Sequence, residues 1–229
     1  MTFNIPITQG LSKTNIFPLE QNVIFVGNDI YSEAEIDCGS GIIKIENKLK
    51  TQTVSEYNQV IAHCKELFKK KTLDYGTAWR ILRLPSITDQ IFIKAQRIRS
   101  IQEKGNQKVN DPIVDEFVGI INYCLIALIQ ISYQNDSRLE IPYAEFEPLY
   151  DKWVEDTRGL LENKNHDYGE AWRDMRVSSM TDIILMKLYR VKQIEDNQGM
   201  TVVSEGIEAN YQDMINYAVF CLIKLNYHV

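Results

Sequence analysis

From about residue 55 onward, apolar residues recur at helical spacing in six successive segments. Tyr57, Val60, Ile61, Cys64, Leu67 and Phe68 mark one face of a predicted helix from about Ser55 to Lys71. A second helix is expected to open at Ser86, where Asp89 three positions on resembles a capping box. A third opens at Asp111-Pro112, with Asp as N-cap and Pro at the first helical position, and runs to about Ser132. After a polar connector from Tyr133 to Glu140, three more helices are predicted: about Tyr143 to Lys164, Ser179 to about Asn197, and about Ser204 to Tyr227. The residues before this series alternate differently. Val23-Ile24-Phe25-Val26, the turn residues Gly27-Asn28-Asp29, and Ile30-Tyr31 suit either a short hairpin or an irregular arm.

The two halves of the helical region say the same thing twice. Asp74-Tyr75-Gly76, Trp79-Arg80, Lys94 and Arg97 return 93 positions later as Asp167-Tyr168-Gly169, Trp172-Arg173, Lys187 and Arg190. Ile121-Asn122-Tyr123 returns as Ile215-Asn216-Tyr217 at a spacing of 94, one loop residue having been added. The expected fold is therefore all-α. It is a tandem repeat of a three-helix unit: an arm or hairpin at 1–54, repeat 1 at 55–136 and repeat 2 at 137–229. Three helices bury a core poorly alone. The strongly apolar helices Phe117 to Ile131 and Met214 to Leu225 are expected to pack on each other around a pseudo-twofold axis, making an intrachain pseudo-dimer.

Composition narrows the function. The net charge of −6 disfavours a nucleic-acid polymer as partner. The run Phe117 to Ile131 is interrupted by Asn122 and is too short to span a bilayer, so no membrane association is expected. Cys38, Cys64, Cys124 and Cys221 show no metal spacing, and the last three fall in apolar helical patterns. Reduced, buried thiols and a cytoplasmic location follow, and the opening residues show no secretory signal. His63, His166 and His228 are the only histidines, and none is shared between repeats, which disfavours histidine acid–base chemistry.

The candidate chemistry lies in carboxylates and cations. On the last helix, Glu205, Glu208, Asp213 and Asn216 are expected within roughly 140° of arc. Such a face suits Mg²⁺, which takes oxygen ligands and bridges to phosphates. The plainer account is that Glu205 and Glu208 favour the helix dipole, which leaves Asp213 unexplained. Glu155 and Glu162 lie seven apart on one face of the first repeat-2 helix. Repeat 1 has Ala62, Lys69, Val114 and Gly119 where repeat 2 has Glu155, Glu162, Glu208 and Asp213, so any metal face belongs to repeat 2. Lys94 with Arg97, and Lys187 with Arg190, share a helical face and suit either phosphate oxygens or ion pairs with neighbouring acids. Asp74 and Asp167 are expected to cap the short helices carrying Trp79 and Trp172, whose rings are either core or a stacking platform.

The DYGxAWR break, the KxxR pair and the acidic helix carrying DxxNYA together resemble the nucleotide-modification-associated domain 1 family over about residues 55 to 229, in the tandem form of its Bacteroidetes branch. That family is in turn distantly similar to the all-α, MazG-like nucleoside triphosphate pyrophosphatases. The resemblance implies Mg²⁺-dependent hydrolysis of a nucleoside triphosphate, or a related triphosphate, to the monophosphate and pyrophosphate. It implies catalytic roles for Glu208 and Asp213, metal ligation by Glu205, Glu208, Asp213, Glu155 and Glu162, and substrate contacts from Lys187, Arg190, Lys94, Arg97 and Asn216. The paired Glu-x-x-Glu of an early helix in those enzymes is absent. The alternative expectation is a non-catalytic nucleotide-binding or protein-interaction module. The partner is a small-molecule nucleotide or triphosphate in either case, with a homo-oligomer as a further possibility.

Overall fold

A computed structural model describes residues 23–26, 29–32, 41–203 and 205–227, with side chains from residue 52 onward. Cys38, Ser204 and His228 lie outside the described residues. A first unit, Met1–Ile45, contains a hairpin in which β1 (Val23–Val26) pairs antiparallel with β2 (Asp29–Ser32), Val26 opposite Asp29. The second unit, Glu46–Val229, holds the helical repeats.

Repeat 1 consists of the end of α1 (Gly41–Tyr75), a short 3-10 helix (Ala78–Ile81), α2 (Leu84–Lys104) and α3 (Ile113–Ser132). Repeat 2 consists of α4 (Tyr143–Tyr168), a 3-10 helix (Ala171–Asp174), α5 (Val177–Asp196) and α6 (Ile207–Lys224). The all-α tandem architecture expected from the sequence is present, with the hairpin as its non-helical addition.

Helix ends depart from expectation where tertiary packing replaces local caps. α2 and α5 open at Leu84 and Val177, before the serines, and Arg83 and Arg176 are the capping positions without side-chain cap bonds. Ser86 is already in the first turn, its N–H bonded to the Arg83 carbonyl. α3 opens after Pro112, and the Asp111 carbonyl accepts a hydrogen bond from Arg97 instead. Asp74 and Asp167 lie in the last turns of α1 and α4, exposed, and cap nothing downstream. The glycines that follow them turn the chain: Gly76 (φ 61°) and Gly169 (φ 56°) are left-handed, and their N–H groups return to the Thr72 and Asn165 carbonyls.

α3 packs on α6 and α2 packs on α5, so matched helices face one another. The side-chain bonds between repeats are reciprocal, which is the mark of a twofold. Gln102 donates to Thr181 at 3.1 Å, while its counterpart Glu195 accepts from Thr88 at 2.7 Å. Lys192 pairs with Asp89, and Arg99 with Asp182. Lys65 bonds Asp151, and Arg158 bonds Asn58. The axis buries Ile120, Ile121, Cys124, Leu125 and Leu128 of α3 against an α6 face that includes Met214, Ile215, Ala218 and Leu222, all fully buried. Fully burying a side chain of this size is worth roughly 1.5–3 kcal/mol. By length and composition α3 is apolar enough to cross a membrane, but 61% of that stretch is buried inside the protein, as a core helix is. Cys64, Cys124 and Cys221 are buried free thiols, and burial pushes Cys64 up to about 12.

Two outcomes follow from this interface. Repeat 2 lends Phe146 and Tyr150 to the repeat-1 core, where both rings meet Phe68. Residues 1–136 and 137–229, expressed separately, should each lack stable helicity and recover it on mixing; two independently folded, non-associating fragments would contradict the shared core. The second outcome concerns Glu195, where burial raises the carboxyl pKa despite the bond from Thr88. A raised folded pKa means that the wild type loses stability as pH climbs above the ordinary glutamate range near 4.3. Glu195→Gln, which copies Gln102, should therefore melt higher at pH 7, by a few tenths to about 1 kcal/mol at this half-exposed site, and match the wild type below about pH 4.

Candidate functional site

Each repeat carries a cleft between the end of its first helix, its 3-10 helix and its last helix. The repeat-2 cleft encloses about 240 Å³ and the repeat-1 cleft about 870 Å³. They are the same site. Lys71, Tyr75, Trp79, Asn122 and Tyr123 line the first, and Lys164, Tyr168, Trp172, Asn216 and Tyr217 line the second. The Asp-Tyr-Gly segment builds the corner: the helix ends at Tyr, left-handed Gly turns the chain, and the 3-10 helix delivers Trp to the cleft wall.

Trp172 is held on both faces. Its ring stacks on Phe220 at 4.1 Å and 5°, and the Arg173 guanidinium lies 4.4 Å from the centroid. Arg173 is itself fixed by Glu56, Thr53 and Glu170. Glu170, 5% exposed and at φ 59°, holds a left-handed backbone that non-glycine residues resist, and its carboxylate gathers Thr53, Asn165 and Arg173. Trp172 is 5% exposed, and its buried Nε1–H has no hydrogen-bond partner among the described residues. The Trp79 Nε1–H in repeat 1 likewise has none. Asn216 Oδ1 and Tyr57 Oη are also unpaired, but their counterparts Asn122 and Tyr150 bond each other at 3.4 Å, so the pseudo-twofold assigns these two groups to one another.

Asp213 lines the same cleft as Trp172. It accepts from Lys164 at 2.6 Å and from Lys187 at 2.5 Å. Burial alone would raise its pKa, but the two lysine hydrogen bonds prevail and hold it below the usual carboxylate range. Lys164 is pulled the other way by its burial but ends above its usual value through Asp213, with a smaller contribution from the charge of Glu205. Two ammonium groups thus meet one buried carboxylate here, with the Glu205 carboxylate near enough to act on Lys164.

Repeat 1 solves the same problem differently. Gly119 replaces Asp213, and a Cβ there would lie 2.7 Å from Lys94 Cε. Lys94 therefore passes over the glycine to reach Glu116 at 3.1 Å, where Arg97 also binds at 2.6 Å. Asn210 stands at the repeat-2 position of Glu116.

The structure separates the residues the sequence grouped. Asp213, Lys187 and Asn216 are at the cleft or its wall. Asn216 Nδ2 donates to the Thr157 carbonyl, as Asn122 does to that of Cys64, so both tie the last helix to the first. Lys94 and Arg97 serve the internal pair with Glu116. Arg190 is exposed and makes no ion pair or hydrogen bond among the described residues. α6 begins at Ile207, so Glu205 precedes it and does not share its face. Glu208 is in its first turn, without an ion pair or hydrogen bond among the described residues. Glu155 is exposed, and Glu162 is exposed and pairs with Arg158 at 3.3 Å. Among the described residues no three His, Cys, Asp or Glu side chains group to hold a metal. Asp213 is moreover taken up by two lysines. The expected magnesium ligands thus do not form a fitting donor set, and no step is assigned to the ion. Sequence reasoning missed Lys164 and Glu170, although retention of Lys71 and Lys164 in both copies signalled the former.

These features define an all-helical tandem-repeat protein with paired, lysine-bearing clefts. The model of the nucleotide modification associated domain 1 family matches residues 71–131 and 164–225, and the chain belongs to that family in two copies. Both matched segments open on a cleft lysine, Lys71 or Lys164, and run through the last helix of the repeat. No curated protein and no solved structure matches the chain.

Asp213→Asn should leave Lys187, only 12% exposed in its side chain, without a buried counter-charge. A loss of about 1–3 kcal/mol at pH 7 is expected in denaturant unfolding. Because the folded pKa of Asp213 is depressed, its contribution is complete above the ordinary aspartate value near 3.9 and fades as pH falls below it, so the two proteins should converge in acid.

Proposed function

We propose that the chain is a nucleotide-binding module whose repeat-2 cleft receives the base, with the phosphate-bearing end directed to Lys164 at its mouth. The observation that carries this reading is the unpartnered Nε1–H of Trp172, a buried donor at an apolar cavity. A buried donor without a partner costs about 1–3 kcal/mol, and an acceptor on the edge of a planar ring would remove that cost. About 240 Å³ falls below the roughly 300–1,000 Å³ that encloses a whole drug-sized ligand, so one ring fits and the remainder of the ligand stays outside. Tyr168, 72% exposed at the rim, offers a free aromatic face for stacking, and Lys164 offers positive charge. The family description, which concerns nucleotide modification, is consistent with such a ligand.

Binding is favoured over triphosphate hydrolysis because Asp213, the one buried acid of the set, is neutralised internally. Trp172→Phe keeps the stack on Phe220 and removes the donor. Titration of nucleosides and nucleotides by calorimetry should show about fivefold to tenfold weaker binding in this variant, the equivalent of one neutral hydrogen bond. Lys164→Gln should weaken nucleotides while leaving nucleosides unchanged. Absence of saturable binding by any nucleoside or nucleotide would reject the proposal. Release of pyrophosphate in Mg²⁺-containing mixtures would favour the hydrolytic reading instead.

A further inference from the structure

The comparison of the repeats points to a second site, separate from the aromatic cleft. In repeat 1 the α2 cations Lys94 and Arg97 close on an internal carboxylate, Glu116 of α3, which binds them through its two oxygens. Repeat 2 keeps both cations, as Lys187 and Arg190 of α5, but places Asn210 where the carboxylate stood. Lys187 turns to Asp213, and Asn210 spends its side-chain amide on the Gly206 carbonyl at 2.9 Å. Arg190 is left with a full guanidinium charge and no hydrogen-bond or ion-pair partner among the described residues. A cavity of about 600 Å³ opens at this place, lined by Lys187, Arg190 and Asn210, with Glu205 also on its lining.

We infer that this cavity binds a phosphate-type oxyanion, which takes the place that the Glu116 carboxylate fills in repeat 1. The guanidinium fork suits two oxygens of one phosphate, and Asn210 removes the carboxylate from the Glu116 position, although Glu205 remains on the lining. Asp213 lines the aromatic cleft and Lys187 lines this cavity, so their ion pair forms the wall between the two. The inference does not depend on what the aromatic cleft holds. The phosphate is either a free ion or the terminal group of a nucleotide whose base lies across that wall.

The test exchanges the repeats' solutions. Inorganic phosphate and pyrophosphate are titrated into the whole protein by calorimetry, followed by a nucleoside and its triphosphate. Wild type should bind one pyrophosphate. Arg190→Gln and Asn210→Glu should each weaken it at least tenfold, and Asn210→Glu should also raise the melting temperature by recreating the internal pair. Glu116→Asn should gain a second equivalent. Loss of triphosphate affinity in Asn210→Glu, with nucleoside affinity intact, identifies the nucleotide's own phosphate as the occupant. Loss confined to the inorganic ions identifies a free ion. Equal binding of pyrophosphate and triphosphate by wild type and Asn210→Glu, or no binding of either by the wild type, overturns the inference. Failure of the aromatic-cleft reading would show separately, as nucleosides that do not bind at all.

Discussion

Burial of the apolar faces of α3 and α6 against each other is the constraint on which the rest depends. Each repeat alone would expose a helix that is apolar over most of its surface. Packing the two copies around a pseudo-twofold hides both, and it does so only in one register. That register brings Thr88 to Glu195 and Thr181 to Gln102, and Asp89 to Lys192 and Asp182 to Arg99. The two ion pairs are exposed or half-exposed and contribute little stability individually. Their value is that they are reciprocal, so a shifted packing would break them in both halves together.

The duplication also frees the copies to diverge. A symmetric dimer of one chain must change both sites at once, whereas a fused pair changes them singly. Here two coupled replacements, Gly119 for Asp213 and Glu116 for Asn210, redirect the same lysine. Without a side chain at 119, Lys94 reaches its neighbour's carboxylate one turn away; with Asp213 present, Lys187 stops short. In repeat 1 both cations thereby close on Glu116, whereas repeat 2 keeps Lys164 at its cleft and leaves Arg190 without a partner among the described residues. The larger cavity, lined by Lys71, Lys94, Asp111, Asp115 and Glu116, lies in repeat 1, and the smaller, more apolar cleft lies in repeat 2, so the two copies are suited to different tasks on one scaffold.

The Trp172 corner shows how much of a site can be support. Phe220 and Arg173 hold the ring, Glu170 and Glu56 hold the arginine, and Thr53 reaches in from α1. This support spans both repeats. A binding edge fixed from both faces loses little freedom when it meets a ligand, which favours affinity from a small contact area.

Much of the fold was legible in the sequence because periodicity and self-similarity are properties of the chain itself. Six helices, the internal repeat and the mutual burial of the Phe117–Ile131 and Met214–Leu225 segments follow from spacing and matched residues, while the family was a resemblance carried by the DYGxAWR, KxxR and DxxNYA motifs. The helix starts were less legible, since Ser86 and Ser179 look like caps but packing carries the helices past them. The acidic face of the last helix was the main casualty. Glu205 precedes α6, and Asp213, which looked like a metal ligand, is claimed by Lys164 from α4 and Lys187 from α5. Spacing along one helix fixes which residues share a side; it does not reveal what approaches that side from elsewhere. Which charges are neutralised, and which, like that of Arg190, stay open, was decided only by tertiary packing, because ion pairing depends on distances between segments far apart in the chain.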